Sequence, residues 1–235
     1  MILANYVVNR VSVMSEVFRR YMARYSKLNR EHTQLIMQRG RMRTISPKQQ
    51  FLQKDESNRL HTFVIYGCLR CYRGENGNNG HIIRLVTEND WISDRACFFG
   101  GEPSDVIVDA LQISGVIQWT TEDLRQLRLD LRDLDEFFRE LTGKNLEEAE
   151  QRIYTTLGQT AEERYAGFLE SFGQIANRIP LKQIASYLGV TRETVSRVRN
   201  NIPCRSKLSV RKNVINVFVE PPEPAKYLEN RNFTI

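Results

Sequence analysis

The sequence predicts an α+β protein: an antiparallel β-roll under a helical cover, a long helix, and a C-terminal winged helix-turn-helix. Three observations carry this. Between residues 41 and 119 the apolar pattern has a period of two and is punctuated by turn residues, as in antiparallel strands. From residue 133 to 157 the pattern lengthens to a helical one. The stretch Leu181 to Arg199, LKQIASYLGVTRETVSRVR, then reads as two short helices around a glycine turn.

In chain order, residues 14–39 suit a helical cover. Val17, Phe18, Tyr21 and Met22 recur at helical spacing, the pattern breaks at Ser26–Arg30, and Leu35 and Ile36 resume it before Gly40. Thr62–Tyr72 and His81–Thr87 read as strands joined by the turn-forming run GENGNNG at 74–80. Val106–Leu111 and Ser114–Trp119 read as further strands. Thr121 opens a helix with Glu122 and Asp123 in its first turn, followed by Leu124, Leu127 and Leu131. The long helix spans about Asp133 to Leu157, with Phe138, Leu141, Leu146, Ala149, Ile153 and Leu157 as its apolar stripe and Gly158 at its end. Thr160-Ala-Glu-Glu163 is a capping box that opens another helix through Phe172. These boundaries divide the chain into a roll (1–132), a linking helix (133–158) and a C-terminal unit (159–235).

The C-terminal unit carries the clearest chemistry. Ala185 is small enough for two helices to approach, Gly189 turns the chain, and Thr191 caps the second helix. Val195 and Val198 fall on one face of that helix; Arg192, Glu193, Ser196 and Arg197 fall on the other. Arginine pairs bidentately with guanine, glutamate accepts from cytosine, and serine does either. Beyond it, Ile202-Pro203 stops the helix, Lys207–Val210 and Val214–Val219 suit a hairpin wing, and Pro221, Pro222 and Pro224 mark an irregular tail.

Charge follows the same division. The chain has 34 Lys and Arg against 28 Asp and Glu, a net charge of +6. Residues 1–50 carry +8, residues 51–175 carry −9 and residues 176–235 carry +7. A basic C-terminal segment suits a phosphate backbone, so double-stranded DNA is the expected partner. The rival is a helix-turn-helix that contacts protein; nine Lys and Arg against one Glu in residues 176–212 weigh against it. No apolar run approaches the ~20 residues that span a bilayer, the N-terminus lacks the features of a secretory leader, and four cysteines make no disulfide framework. A cytoplasmic setting with no membrane partner is expected.

The order of elements resembles the Crp/Fnr family of bacterial transcription regulators over most of residues 14–200. Thr191-Arg-Glu-Thr-Val-Ser-Arg197 is similar to the family's recognition helix, and Ile65-Tyr66-Gly67 followed by Cys68-Leu69-Arg70 to the strand-glycine-strand passage of cyclic-nucleotide-binding domains. The resemblance implies a jelly-roll-like sensor domain and a homodimer joined along residues 133–157. It implies base reading by Arg192, Glu193 and Arg197, with Ser196 and Arg199 on the same DNA-binding helix and Thr191 on phosphate. RNA polymerase is a further partner by the same resemblance. Nucleotide-binding members carry a Gly-Glu pair and then an Arg-Ser or Arg-Ala pair, the arginine neutralising the cyclic phosphate. Here Ser93-Asp94 and Ser104-Asp105 take those places, beside Arg95. Asp105 sets like charge against a phosphate, which commonly costs several kcal/mol (order of magnitude). The expectation is a regulator not gated by cyclic AMP, with no resident cofactor; a cyclic-nucleotide-responsive regulator is the alternative.

Other chemistry finds little footing. Cys68 and Cys71 read as one strand, where side chains three apart point to opposite faces and share no metal. Cys97 and Cys204 are isolated, and His32, His61 and His81 have no ligand spacing. No phosphate loop or nucleophile–base pair is legible, so no enzyme is expected.

Overall fold

The computed structural model describes residues 2–52, 60–74, 80–93 and 106–201. Helices α1 (Ile2–Tyr25) and α2 (Arg30–Arg39) come first. Strands β1 (Arg41–Ile45), β2 (Gln50–Leu52), β3 (Leu60–Tyr66), β4 (Leu69–Arg73), β5 (His81–Val86), β6 (Trp91–Ser93), β7 (Ile107–Ala110) and β8 (Ser114–Thr120) follow. Helices α3 (Thr121–Asp130), α4 (Arg132–Gly158), α5 (Ala161–Phe172), α6 (Leu181–Leu188) and α7 (Arg192–Asn201) complete the described chain.

The strands form two four-stranded antiparallel sheets. Sheet A has the order β1-β8-β3-β6 and sheet B the order β2-β7-β4-β5. The period-two pattern puts Ile45, Val64, Leu69, Val86, Val108 and Val116 into one apolar core. The alternate residues Phe63, Ile65, Ile117 and Trp119 join a second core with Phe18, Tyr21 and Met22 of α1, the predicted helical cover. Its centre is aromatic: Phe18 meets Phe63 edge-on at 5.1 Å, and Trp91 stacks on Trp119 at 5.1 Å between ring centroids. The Trp119 indole N–H donates to the Ile36 carbonyl (2.7 Å), which pins α2. The predicted break before α2 is there, with the Asn29 side chain capping the His32 N–H at 2.8 Å. Helix α1 itself begins at Ile2, twelve residues before the expected start.

The stretch 62–72 is not one strand. The chain turns at Gly67, φ +107°, and passes from β3 in sheet A to β4 in sheet B. A β-carbon there would fall on Ser114, so glycine is required by both torsion and space. Cys68 lies before β4, not within a shared strand, and belongs to a different apolar cluster from Cys71. Strands β2 and β6, each three residues long, were not anticipated; three residues show no period.

Helix α3 opens at Thr121 as expected, and the Thr120 hydroxyl caps it by accepting the Asp123 N–H at 3.1 Å. Helix α4 changes surroundings along its length. Leu134, Phe137 and Phe138 are buried against the roll, whereas Leu146, Ile153, Tyr154 and Leu157 face solvent. Among the described residues no helix is long and apolar enough to cross a membrane.

Candidate nucleic-acid interface

Local rules build the helix-turn-helix. Helix α5 opens on the expected capping box: the Thr160 hydroxyl accepts the Glu163 N–H (3.3 Å) and the Glu163 carboxylate accepts the Thr160 N–H (2.8 Å). Its Tyr165 and Phe168 are buried in one cluster with Ile184, Ala185 and Leu188 of α6 and Val195 and Val198 of α7. Gly189 ends α6 in the left-handed region, φ 67° and ψ 35°, and its N–H bonds back to the Ala185 and Ser186 carbonyls. Two arginines complete that end. Arg164 donates to the Leu188 carbonyl (2.8 Å) and Arg152 to the Tyr187 carbonyl (2.7 Å), positive charge where the helix dipole is negative. Thr191 then caps α7 by accepting the Thr194 N–H at 3.1 Å.

On α7, Val195 and Val198 are about 1% exposed, while Arg192, Glu193, Ser196 and Arg197 are exposed. These four line one open concavity with Leu181, Asn200 and Asn201. Asn200 and Asn201 were missed by sequence reading, although Ser196 and Arg197, four residues earlier, signal their face. Thr191 is exposed at the start of the helix. Arg199 is exposed but turned aside, its guanidinium 3.4 Å from the Asn177 side-chain oxygen, so the structure does not bring it to the other four.

The other predicted site falls mostly out of view. Ser93 ends β6, its hydroxyl 2.7 Å from Nδ1 of the buried His61. Asp94, Arg95, Ser104 and Asp105 lie outside the described residues, as do Cys97, Cys204 and the predicted wing. Near Ser93 a cavity of about 10 Å³ between the sheets, lined by Leu52, Thr62, Ile92 and Val108 among others, has room for about one water. Among the described residues, no group of three or more His, Cys, Asp or Glu is placed to hold a metal ion.

The helix-turn-helix also touches the roll. Sheet B turns Arg70, Tyr72, Ile107 and Asp109 away from the inter-sheet core, and Tyr72, Ile82 and Ile107 share the apolar cluster of α5 to α7. Arg70 grips the buried Asp109 through two 2.7 Å bonds and reaches Gln183 of α6 at 2.8 Å.

Comparison with known proteins agrees with this geometry. Residues 182–198 match the family model of bacterial regulatory proteins, crp family. No curated protein sequence matches. Among solved structures, FixK2 from Bradyrhizobium japonicum shares the fold at TM-score 0.60 and 20% identity, covering 68% of this chain and 83% of its own. The c-di-GMP responsive global regulator CLP of Xanthomonas campestris does so at TM-score 0.61 and 13% identity, covering 73% and 90%. A CooA variant from Carboxydothermus hydrogenoformans does so at TM-score 0.57 and 16% identity, covering 70% and 77%. The chain thus carries a helix-turn-helix segment similar to that of the crp family, on a fold that it shares with these solved structures.

Proposed function

We propose that the protein is a sequence-specific DNA-binding transcription regulator that acts as a homodimer. The observation that carries the reading is α7: four exposed polar side chains, Arg192, Glu193, Ser196 and Arg197, on a helix whose valines are anchored in the unit behind it. Arg192, Glu193, Ser196 and Arg197 read base edges, while Thr191 and Arg199 sit on flanking phosphates. The units are the roll to residue 132, the α4 linker to 158, and the DNA head beyond. The solvent-facing apolar half of α4 is the dimer seam. Two-fold symmetry then sets two half-sites about one helical turn apart. RNA polymerase is the further partner at promoters. Cyclic AMP is not the effector, because Asp105 stands where nucleotide-binding relatives carry the phosphate-neutralising side of their cassette.

The test is selection from a randomised DNA duplex library, followed by binding titrations at rising salt. An enriched inverted repeat is expected, with affinity falling steeply as salt rises because phosphate contacts release counterions. Arg192→Ala should cost about 1–3 kcal/mol and relax preference at one base pair. No enrichment at low salt, or binding indifferent to salt, overturns the reading. For the effector, a thermal shift with cyclic AMP, cyclic GMP and cyclic di-GMP is measured; a shift with cyclic AMP overturns the cassette argument.

A further inference from the structure

Among the described residues, strand β5 is an edge strand of sheet B, and the backbone of an edge strand needs partners. At Ile82 both outward groups are taken by helices. Its N–H donates to the Ser186 hydroxyl of α6 (3.2 Å), and its carbonyl accepts Nη2 of Arg152 from α4 (2.7 Å). Ser186 also donates to the Gly80 carbonyl (3.0 Å), so one hydroxyl meets the strand edge as a neighbouring strand would. Nη2 of Arg152 donates as well to the Tyr187 carbonyl at 2.7 Å, and its guanidinium lies 3.9 Å from the Tyr187 ring centroid. One side chain of the long helix thus holds the roll's edge and the first helix of the head together. Arg84 adds a second tie between β5 and α4, bonding Asp90 at 2.9 Å and Asn145 at 3.1 Å.

We propose that Arg152 and Ser186, supported by the Arg70–Gln183 bond, are positioning residues that set the angle at which α7 is offered to DNA. The inference rests on the DNA-binding reading above and deepens it. Helix α6 carries α7 through the shared buried cluster, so whatever fixes α6 on the strand edge fixes α7. Arg152 stands on α4, the proposed dimer seam, and therefore refers the angle of each head to the dimer axis. In a two-fold dimer that angle determines the distance between the two reading helices, and so the spacing between half-sites. Neither residue touches DNA in this arrangement; each acts through α6.

The experiment uses the full chain. The operator is first selected with the wild-type protein. A panel of duplexes with the same half-sites at shorter and longer spacings is then titrated with Ser186→Ala, Ser186→Thr, Arg152→Lys and Arg152→Gln. Ser186→Ala and Arg152→Gln should lose about fivefold or more in affinity at the wild-type spacing and bind the altered spacings nearly as well. Arg152→Lys, which keeps the charge without the guanidinium's planar reach, should fall between. Ser186→Thr, which keeps the hydroxyl, should restore the wild-type preference. Thermal midpoints and far-UV spectra separate this from unfolding; if Arg152→Gln does not fold, Ser186→Ala and Arg152→Lys carry the test. Folded variants that keep the wild-type affinity and spacing preference overturn the inference and leave the DNA reading standing. A wild-type protein that selects no duplex overturns both.

Discussion

The proposed dimer seam gives the most direct prediction. Ile153 and Leu157 of α4 are 61% and 83% exposed. Full burial of such an aliphatic side chain is worth about 2 kcal/mol, so the pair stands to gain about 3 kcal/mol in each protomer. Two protomers together then draw about 6 kcal/mol from these four side chains, or about ten-thousandfold in the dimer constant. Even half of that is about a hundredfold. Replacing both, Ile153→Lys with Leu157→Lys, keeps good helix formers and removes the apolar surface. Sedimentation velocity over a wide concentration range should find a dimeric wild type and a largely monomeric variant. Leu129→Lys is the control, since Leu129 is 68% exposed but lies on α3, away from the stripe. A wild type that sediments as a monomer throughout refutes the argument, and so does a double variant with an unchanged dimer constant.

Gly189→Ala should destabilise the chain by about 1–2 kcal/mol through its left-handed backbone alone. A β-carbon there would meet only Arg164, at 3.8 Å, so Gly189→Asn should cost less; equal losses in urea titration would show that packing, not torsion, decides. Burial, aided by Arg128, holds His61 down to about 4, below its ordinary 6.5. The unfolded chain therefore takes up a proton that the folded one refuses between those values. Stability should fall as pH drops from 6.5 towards 4, by up to about 1.4 kcal/mol per pH unit from this group. His61→Gln should lose that part of the slope, and parallel urea midpoints for the two proteins at pH 7 and pH 5 would contradict it. Burial pushes the Cys68 thiol up to about 12. Alkylation of the folded protein, mapped by mass spectrometry, should therefore reach the half-buried Cys71 well before Cys68, and the reverse order would place Cys68 wrongly.

The helix-turn-helix was legible because its determinants are local. Gly189, Thr191, Val195 and Val198 lie within ten residues and each acts on its immediate neighbours, so spacing alone orders them. The capping box at Thr160 and the exposed polar face of α7 belong to the same class. The division of 62–72 between two sheets was not legible from alternation, because Phe63, Val64 and Ile65 are all buried and sheet membership depends on a distant clash at Ser114. The seat of the head on sheet B was hidden for a related reason. Arg70 and Gln183 are 113 residues apart, and each is an ordinary polar residue in its own segment. The contact of Arg199 with Asn177 was hidden in the same way, because Asn177 lies 22 residues earlier, in the turn before α6.

The covered edge of β5 has a consequence for handling the molecule in pieces. Cutting the chain after α4 removes Ser186 and leaves the backbone N–H of Ile82 at an unprotected strand margin, next to a sheet face from which the apolar neighbours of Tyr72 and Ile107 have gone. Such a margin is a template for another chain's strand, and the roll alone becomes a self-associating fragment. The side of the head turned away from its proposed DNA face is thus the side that covers this margin of the roll.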